Sequence, residues 1–126
     1  MKEVINTKDA RAPIGPYSQA VKTGKLVFVS GQIAINSATG NLMLDNIHEE
    51  TTQIMRNIGA ILKAAGMDYP NIVKTTIFLT NMNNFSAVNE IYGSFFKEAF
   101  PARETVQVSR LPKDVNIEIS VVASQE

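Results

Sequence analysis

A chain of 126 residues with 12 basic and 12 acidic side chains carries no formal net charge, and 44% of it is hydrophobic against 19% charged. That balance suits a soluble globular protein and removes the main electrostatic drive toward nucleic acid or anionic membrane. The absence of cysteine excludes disulfides, thiolate catalysis and cysteine metal sites, and the single histidine, His48, cannot build a histidine-rich metal site or a histidine acid/base pair.

The N-terminal stretch "MKEVINTKDARAP" lacks the apolar core of a signal peptide, and no apolar run reaches membrane-spanning length, so a cytoplasmic location is expected. No linker or repeat divides residues 1–126, which read as one domain. "SQAVKTGKLVFVSGQI" predicts a hairpin, with a strand near Ser18 to Lys22, a turn at Thr23-Gly24 and a strand from Lys25 to Ile33. In the second strand Leu26/Phe28 and Val27/Val29 are both apolar pairs, which predicts cover on both faces.

A turn-rich loop follows, then the clearest helix, "NIHEETTQIMRNIGAILKAAG". Ile47, Thr51, Ile54, Met55, Ile58, Ile61, Leu62 and Ala65 share its inner face, while Glu49, Glu50, Gln53, Arg56 and Lys63 fall opposite. Asn46 with Glu49 resembles a capping box, and Gly66 suits a C-terminal stop. "NIVKTTIFLTN" is a β-branched strand. "NNFSAVNEIYGSFFKEAF" predicts a second helix running to Pro101, with Phe85, Val88, Tyr92, Phe95 and Phe96 in a stripe. "ETVQVS" and "VNIEISVVA" are the last strands, joined by "RLPKD" as a hairpin that would bring Arg103 near Glu118. The order β-β-α-β-α-β-β is an α+β sandwich with the helices on one sheet face. The strands apolar on both faces then predict self-association, the alternative being cover by long loops.

Arg103 follows Phe-Pro-Ala, where an arginine suits bidentate binding of a small carboxylate; the alternative is a surface ion pair with Glu98 or Glu104. In "VNIEISV", Val115, Ile117, Ile119 and Val121 face one way, and Asn116, Glu118 and Ser120 the other. Glu118 therefore either meets solvent or lines a cavity, where desolvation would raise its pKa and fit it for proton transfer near neutral pH. Tyr17, after a rigid Gly-Pro corner, is either a phenol aimed from a loop or a cover for the core. Gly31 within a strand permits close approach of a ligand or backbone. Ser30 has no histidine beside it in sequence, so a serine triad is not expected. Asn89 either donates to a ligand or ties down a loop, and His48 is expected to be exposed.

"IGPYSQA", "VSGQI", "IVKTTIFLTNMNNFSAVNEIYGSFF" and "FPARETVQVSRLPKDVNIEI" together resemble the Rid/YjgF family of reactive intermediate (enamine/imine) deaminases, in its RidA branch. The resemblance runs over almost the whole chain. It implies a chorismate-mutase-like fold assembled as a homotrimer, three sheets forming a central β-barrel with sites in clefts between subunits. It implies that Arg103 binds the substrate carboxylate, that Glu118 holds the attacking water, and that Tyr17, Ser30, Gly31 and Asn89 line the same pocket. Two positions depart from the common pattern. Thr105 stands where many members have cysteine, and Glu104 where many have serine; a main-chain N–H at 105 remains to bind the carboxylate.

The implied activity is hydrolysis of 2-imino acids and their enamines (2-aminoacrylate, 2-iminopropanoate, 2-iminobutanoate) to 2-keto acids and ammonia, detoxifying intermediates without metal or organic cofactor. A ribonuclease, a label the family has carried, would want a basic track and acid/base pairs that a neutral chain with one histidine lacks. A non-catalytic trimer binding a small carboxylate is the other alternative.

Overall fold

The computed structural model describes residues 1–126. Its strands are β1 (Glu3–Ile5), β2 (Ala20–Thr23), β3 (Leu26–Gln32), β4 (Ile72–Leu79), β5 (Ala102–Gln107) and β6 (Ile117–Ser124), with helices α1 (Ile47–Ala64) and α2 (Phe85–Gly93). The expected α+β order holds, with the short β1 added at the N-terminal end. All six strands form one sheet, in the order β1-β2-β3-β6-β4-β5. Both helices pack on one face of it, over a core that includes Ile54, Ile58, Ile61, Ile77, Ile119 and Val121.

Helix α1 begins where the Asn46 side chain accepts the Glu49 N–H at 2.9 Å. It ends in a Schellman turn: Gly66 takes φ 76°, Met67 N–H donates to the Leu62 carbonyl and Gly66 N–H to that of Lys63. The polar outer face expected for Glu50 is wrong. Glu50 is fully buried, its carboxylate accepting from Asn116 N (2.9 Å), Asn116 Nδ2 (2.7 Å) and Ile117 N (3.2 Å). Those donors sit where β6 begins, so the carboxylate is sealed by satisfying backbone that has no ladder partner there.

Helix α2 is shorter than its periodicity predicts, stopping at Gly93 rather than Pro101. Beyond it the chain turns so that Phe95 and Phe96 reach the rings of Tyr69 and Tyr92, with centroids 5.1 and 5.0 Å apart respectively. Aromatic packing outweighs one more helical turn.

The predicted β5–β6 hairpin does not form. β4, α2 and β5 make a crossover unit, so β5 lies parallel to β4 at the sheet edge and β6 pairs antiparallel to β4 on its other side. Residues 108–116 carry the chain across the end of β4, with Val108 N–H on the Leu79 carbonyl and Thr80 N–H on that of Asn116. β5 is polar and open along its length, which suits an edge and not a centre.

Within one chain the sheet's second face is uncovered over much of its area, so the cover expected for β3 does not come from this chain's own loops. Val27 and Val29 face the core, but Leu26 and Phe28 are 37% and 46% exposed. Register aligns Val4, Val21, Phe28 and Val122 in one apolar row across four strands. Loops cover only one end of this face, where Phe78 packs on Ile33, Ile35, Leu111 and Val115.

Candidate active site

Alternation along β6 places Ile117, Ile119 and Val121 in the core and turns Glu118 and Ser120 to the open face. Glu118 pairs with Phe78 on β4, and on its other side lies a β-bulge in β3. Between the pairs Val29–Val121 and Gln32–Ile119, two residues, Ser30 and Gly31, oppose Ser120 alone. The bulge brings Gly31 under the carboxylate. A methyl group on Gly31 would sit 2.7 Å from the Glu118 carboxyl carbon, so glycine is what lets the carboxylate rest there and a larger residue would push it aside.

Glu118 lines a cavity of about 440 Å³ with Tyr17, Ser30, Gly31, Arg11 and Pro112. Half-burial raises its pKa above the ordinary carboxylate value, because desolvation penalises the charged form. Ser30 does not point its hydroxyl at a base; it donates to the Ser18 carbonyl at 2.6 Å and ties β3 to the loop before β2. Tyr17 is 46% exposed at the cavity mouth, so it is not a cover for the core. Its hydroxyl accepts weakly from Ile14 N–H at 3.4 Å.

Arg103 lies elsewhere. Thr75 faces the core, and Arg103, its partner in register, projects on that same helix side. Its guanidinium donates to Asn89 Oδ1 on α2 and stands 5.5 Å from the ring centroids of both Phe85 and Tyr92. Tyr92 is anchored in turn, its hydroxyl donating to Thr75 Oγ1 at 2.8 Å, and burial raises its pKa. Arg103 makes no ion pair with Glu98 or Glu104; Glu104 pairs instead with Lys74 at 2.5 Å on the opposite sheet face. Arg103 and Asn89 line their own cavity of about 400 Å³ with Phe100 and Pro101. Thr105, two residues along the same face, has a buried hydroxyl with no hydrogen-bond partner.

One chain therefore does not unite the expected pocket. Tyr17, Ser30 and Gly31 join Glu118, whereas Asn89 joins Arg103. Arg103 and Glu118 sit on opposite faces, two strands apart and three residues out of step on β4, which is about 14 Å between Cα atoms. Two features were not anticipated. The alanine-flanked Arg11 of the "KDARAP" loop reaches the Glu118 cavity, and Phe85 and Tyr92, read as core stripe, cradle Arg103. His48 is exposed, as expected. No helix is long and apolar enough to cross a membrane.

Comparison with known proteins agrees with this architecture. Residues 7–125 match the family described as Endoribonuclease L-PSP. The human protein named 2-iminobutanoate/2-iminopropanoate deaminase is 48% identical over 125 residues, spanning 99% of this chain and 91% of the relative. The solved structure of a conserved Rid-family protein from Yersinia pestis superposes with TM-score 0.96 at 51% identity, over 98% of this chain and 99% of that one. E. coli TdcF with bound serine gives TM-score 0.94 at 39% identity, with 98% and 99% covered. The chain belongs to the Rid/YjgF family, also described as Endoribonuclease L-PSP.

Proposed function

We propose that the protein is a 2-iminobutanoate/2-iminopropanoate deaminase, hydrolysing the C=N bond of 2-imino acids to 2-keto acids and ammonia. The observation that carries this reading is Glu118, a half-buried carboxylate seated over Gly31 in a small cavity with its pKa raised by desolvation alone. Such a group suits proton transfer near neutral pH. The name of the human relative supplies the reaction class.

The site is completed by a neighbouring copy. Arg103 and Glu118 occupy opposite faces of one sheet, so a small substrate meets both only across an interface. The bare row of Val4, Val21, Phe28 and Val122 favours such association, because a long apolar sheet face costs free energy in water. We take the assembly to be a homotrimer with the three open faces forming a central β-barrel, each residue 1–126 chain acting as one domain in the cytoplasm.

In this arrangement Arg103, oriented by Asn89, grips the carboxylate of a 2-imino acid, with the Thr105 main-chain N–H beside it, and fixes C2. Glu118 of the adjoining copy takes a proton from water as its oxygen attacks C2, giving a tetrahedral carbinolamine. It then returns that proton to nitrogen; as the C–N bond breaks and the C=O bond forms, Glu118 takes the hydroxyl proton and passes it to the departing ammonia, which leaves as ammonium beside the 2-keto acid. 2-Aminoacrylate enters by tautomerising to 2-iminopropanoate, with Glu118 or Tyr17 as proton carrier. The residues do this without a cofactor, because a protonated imine is already electrophilic. The role is removal of reactive intermediates.

That TdcF is solved with serine favours a second reading, a trimer that binds small carboxylates without turnover. Ribonuclease activity fits less well, since the chain has zero net charge and a single histidine. Freshly generated 2-aminoacrylate separates these readings: pyruvate and ammonia should form well above the spontaneous rate. Binding of pyruvate with no acceleration would leave only the non-catalytic reading.

A further inference from the structure

We infer that Arg11 forms a second anion subsite beside Glu118, so that the site accepts 2-imino acids bearing a side-chain carboxylate. The inference rests on the deaminase reading and names a substrate class for it. Two cavities meet at Arg11: the one holding Glu118, and an adjoining one of about 900 Å³. The larger cavity carries Lys8, Arg11 and Lys113 on a wall otherwise made of neutral residues, with no carboxylate among them. Three cations without an acid give such a concavity a positive potential.

Arg11 is half-buried and its Nε is sealed from solvent with no hydrogen-bond partner. It takes no part in any of the chain's ion pairs, including one with Glu118. The sealed Nε shows that the stem of the side chain is packed in place, while the terminal guanidinium nitrogens make no hydrogen bond within the chain and are left to an acceptor on a ligand. The loop that carries it is also fixed. Gln19, 2% exposed, accepts from Thr7 N–H at 2.8 Å and donates to the carbonyls of Thr7 (3.1 Å), Ala10 (3.3 Å) and Arg11 (2.7 Å). A buried amide spent wholly on residues 7–11 holds the Arg11 backbone in place, which is the support a binding side chain needs.

A monocarboxylic imine delivers its only carboxylate to Arg103 and leaves Arg11 without a partner. 2-Iminosuccinate or 2-iminoglutarate carries a second carboxylate that reaches a guanidinium beside the reacting carbon. The chemistry is unchanged: water adds to C=N, ammonia leaves and a dicarboxylic keto acid remains.

The test compares the full-length assembled protein with Arg11→Met and Arg11→Lys. Substrates are 2-iminoglutarate and 2-iminopropanoate, generated in place from glutamate and alanine by amino-acid oxidases. Because Gln19 holds the Arg11 carbonyl rather than its side chain, both variants should fold, and melting temperature checks this. The expected result is a fall of roughly ten-fold or more in the ratio of diacid to monoacid kcat/KM for Arg11→Met, the size of a lost charge-assisted contact. Arg11→Lys should recover part of it. Calorimetry should show 2-oxoglutarate binding weakened more than pyruvate binding. An equal loss on both substrates, or an unchanged ratio, overturns the subsite. If the unaltered protein hydrolyses neither imine, the deaminase reading fails, while the two keto-acid affinities still decide the role of Arg11.

Discussion

Two inactive variants, mixed, should yield an active protein. Arg103→Met removes the carboxylate grip and Glu118→Gln the proton carrier, so each alone should be disabled, the second by roughly a hundred-fold or more. Arg103 and Glu118 leave opposite faces of the sheet, so the proposed mechanism requires each complete site to draw them from different copies. Suppose the two variants are unfolded together in equal amounts and reassembled at random. About half of the Glu118 positions then come from the Arg103→Met chain, and about half of the facing Arg103 positions from the Glu118→Gln chain. About a quarter of all sites are thus intact, whatever the number of copies in the closed ring. The assay is 2-iminopropanoate hydrolysis before and after mixing, with two affinity tags to prove that hybrids form. Recovery near a quarter of wild-type turnover is expected. Activity that stays at the level of the separate variants in proven hybrids would mean that one chain supplies both groups, and the shared-site reading would fall.

Gly31→Ala should leave the fold intact, since the bulge does not place Gly31 in the left-handed region, but the new methyl would displace the Glu118 carboxylate. Misplacing a reacting group by an ångström costs on the order of a hundred-fold in turnover, so near-normal hydrolysis would refute the seat assigned to it. Glu118→Gln should melt no lower than wild type at neutral pH. The raised native pKa means that protonation favours the folded state, a contribution fully present below the unfolded pKa and lost as pH rises through the native one. The advantage of the variant should therefore shrink as pH falls into the ordinary carboxylate range; an advantage that grows on acidification contradicts the desolvation. Glu50→Ala strands the buried Ile117 N–H and should cost about 1–3 kcal/mol for that donor alone, seen as a lower denaturation midpoint with an unchanged m-value. Phe28→Asp puts a charge in the middle of the bare apolar row and should give a 13.8 kDa species in light scattering, whereas an unchanged assembly mass would place the interface elsewhere.

Much of this molecule was legible because β-strands alternate and α-helices repeat. The parity of "VNIEISV" places Glu118 opposite the core isoleucines, and the period of "ETTQIMRNIGAIL" sets the buried face of α1. Periodicity has no information about what a polar side chain meets when its neighbours arrive. Glu50 lies at the margin of the apolar stripe, and only the start of β6, 66 residues on, turns it from a solvated carboxylate into a buried acceptor. Arg11 is hidden for the same reason, since its cavity is assembled from the β3 bulge, β6 and the "LPKD" turn.

Strand order is the other thing a linear reading misjudges. β5 and β6 are joined by a short link, and the simplest geometry for such a link is a hairpin. The helix between β4 and β5 overrules it, because a strand-helix-strand crossover lays its second strand parallel beside the first. β4 takes the place beside β6 that a hairpin would have given to β5. That single exchange moves Arg103 from the neighbourhood of Glu118 to the far edge and onto the other face. A chain that keeps its arginine and its carboxylate so far apart, and leaves Val4 and Phe28 exposed on one face, holds the two proposed site groups asunder and has an uncovered surface. In the proposed assembly a second copy answers both at once, and dilution that separates the copies should then abolish activity before it unfolds the chain.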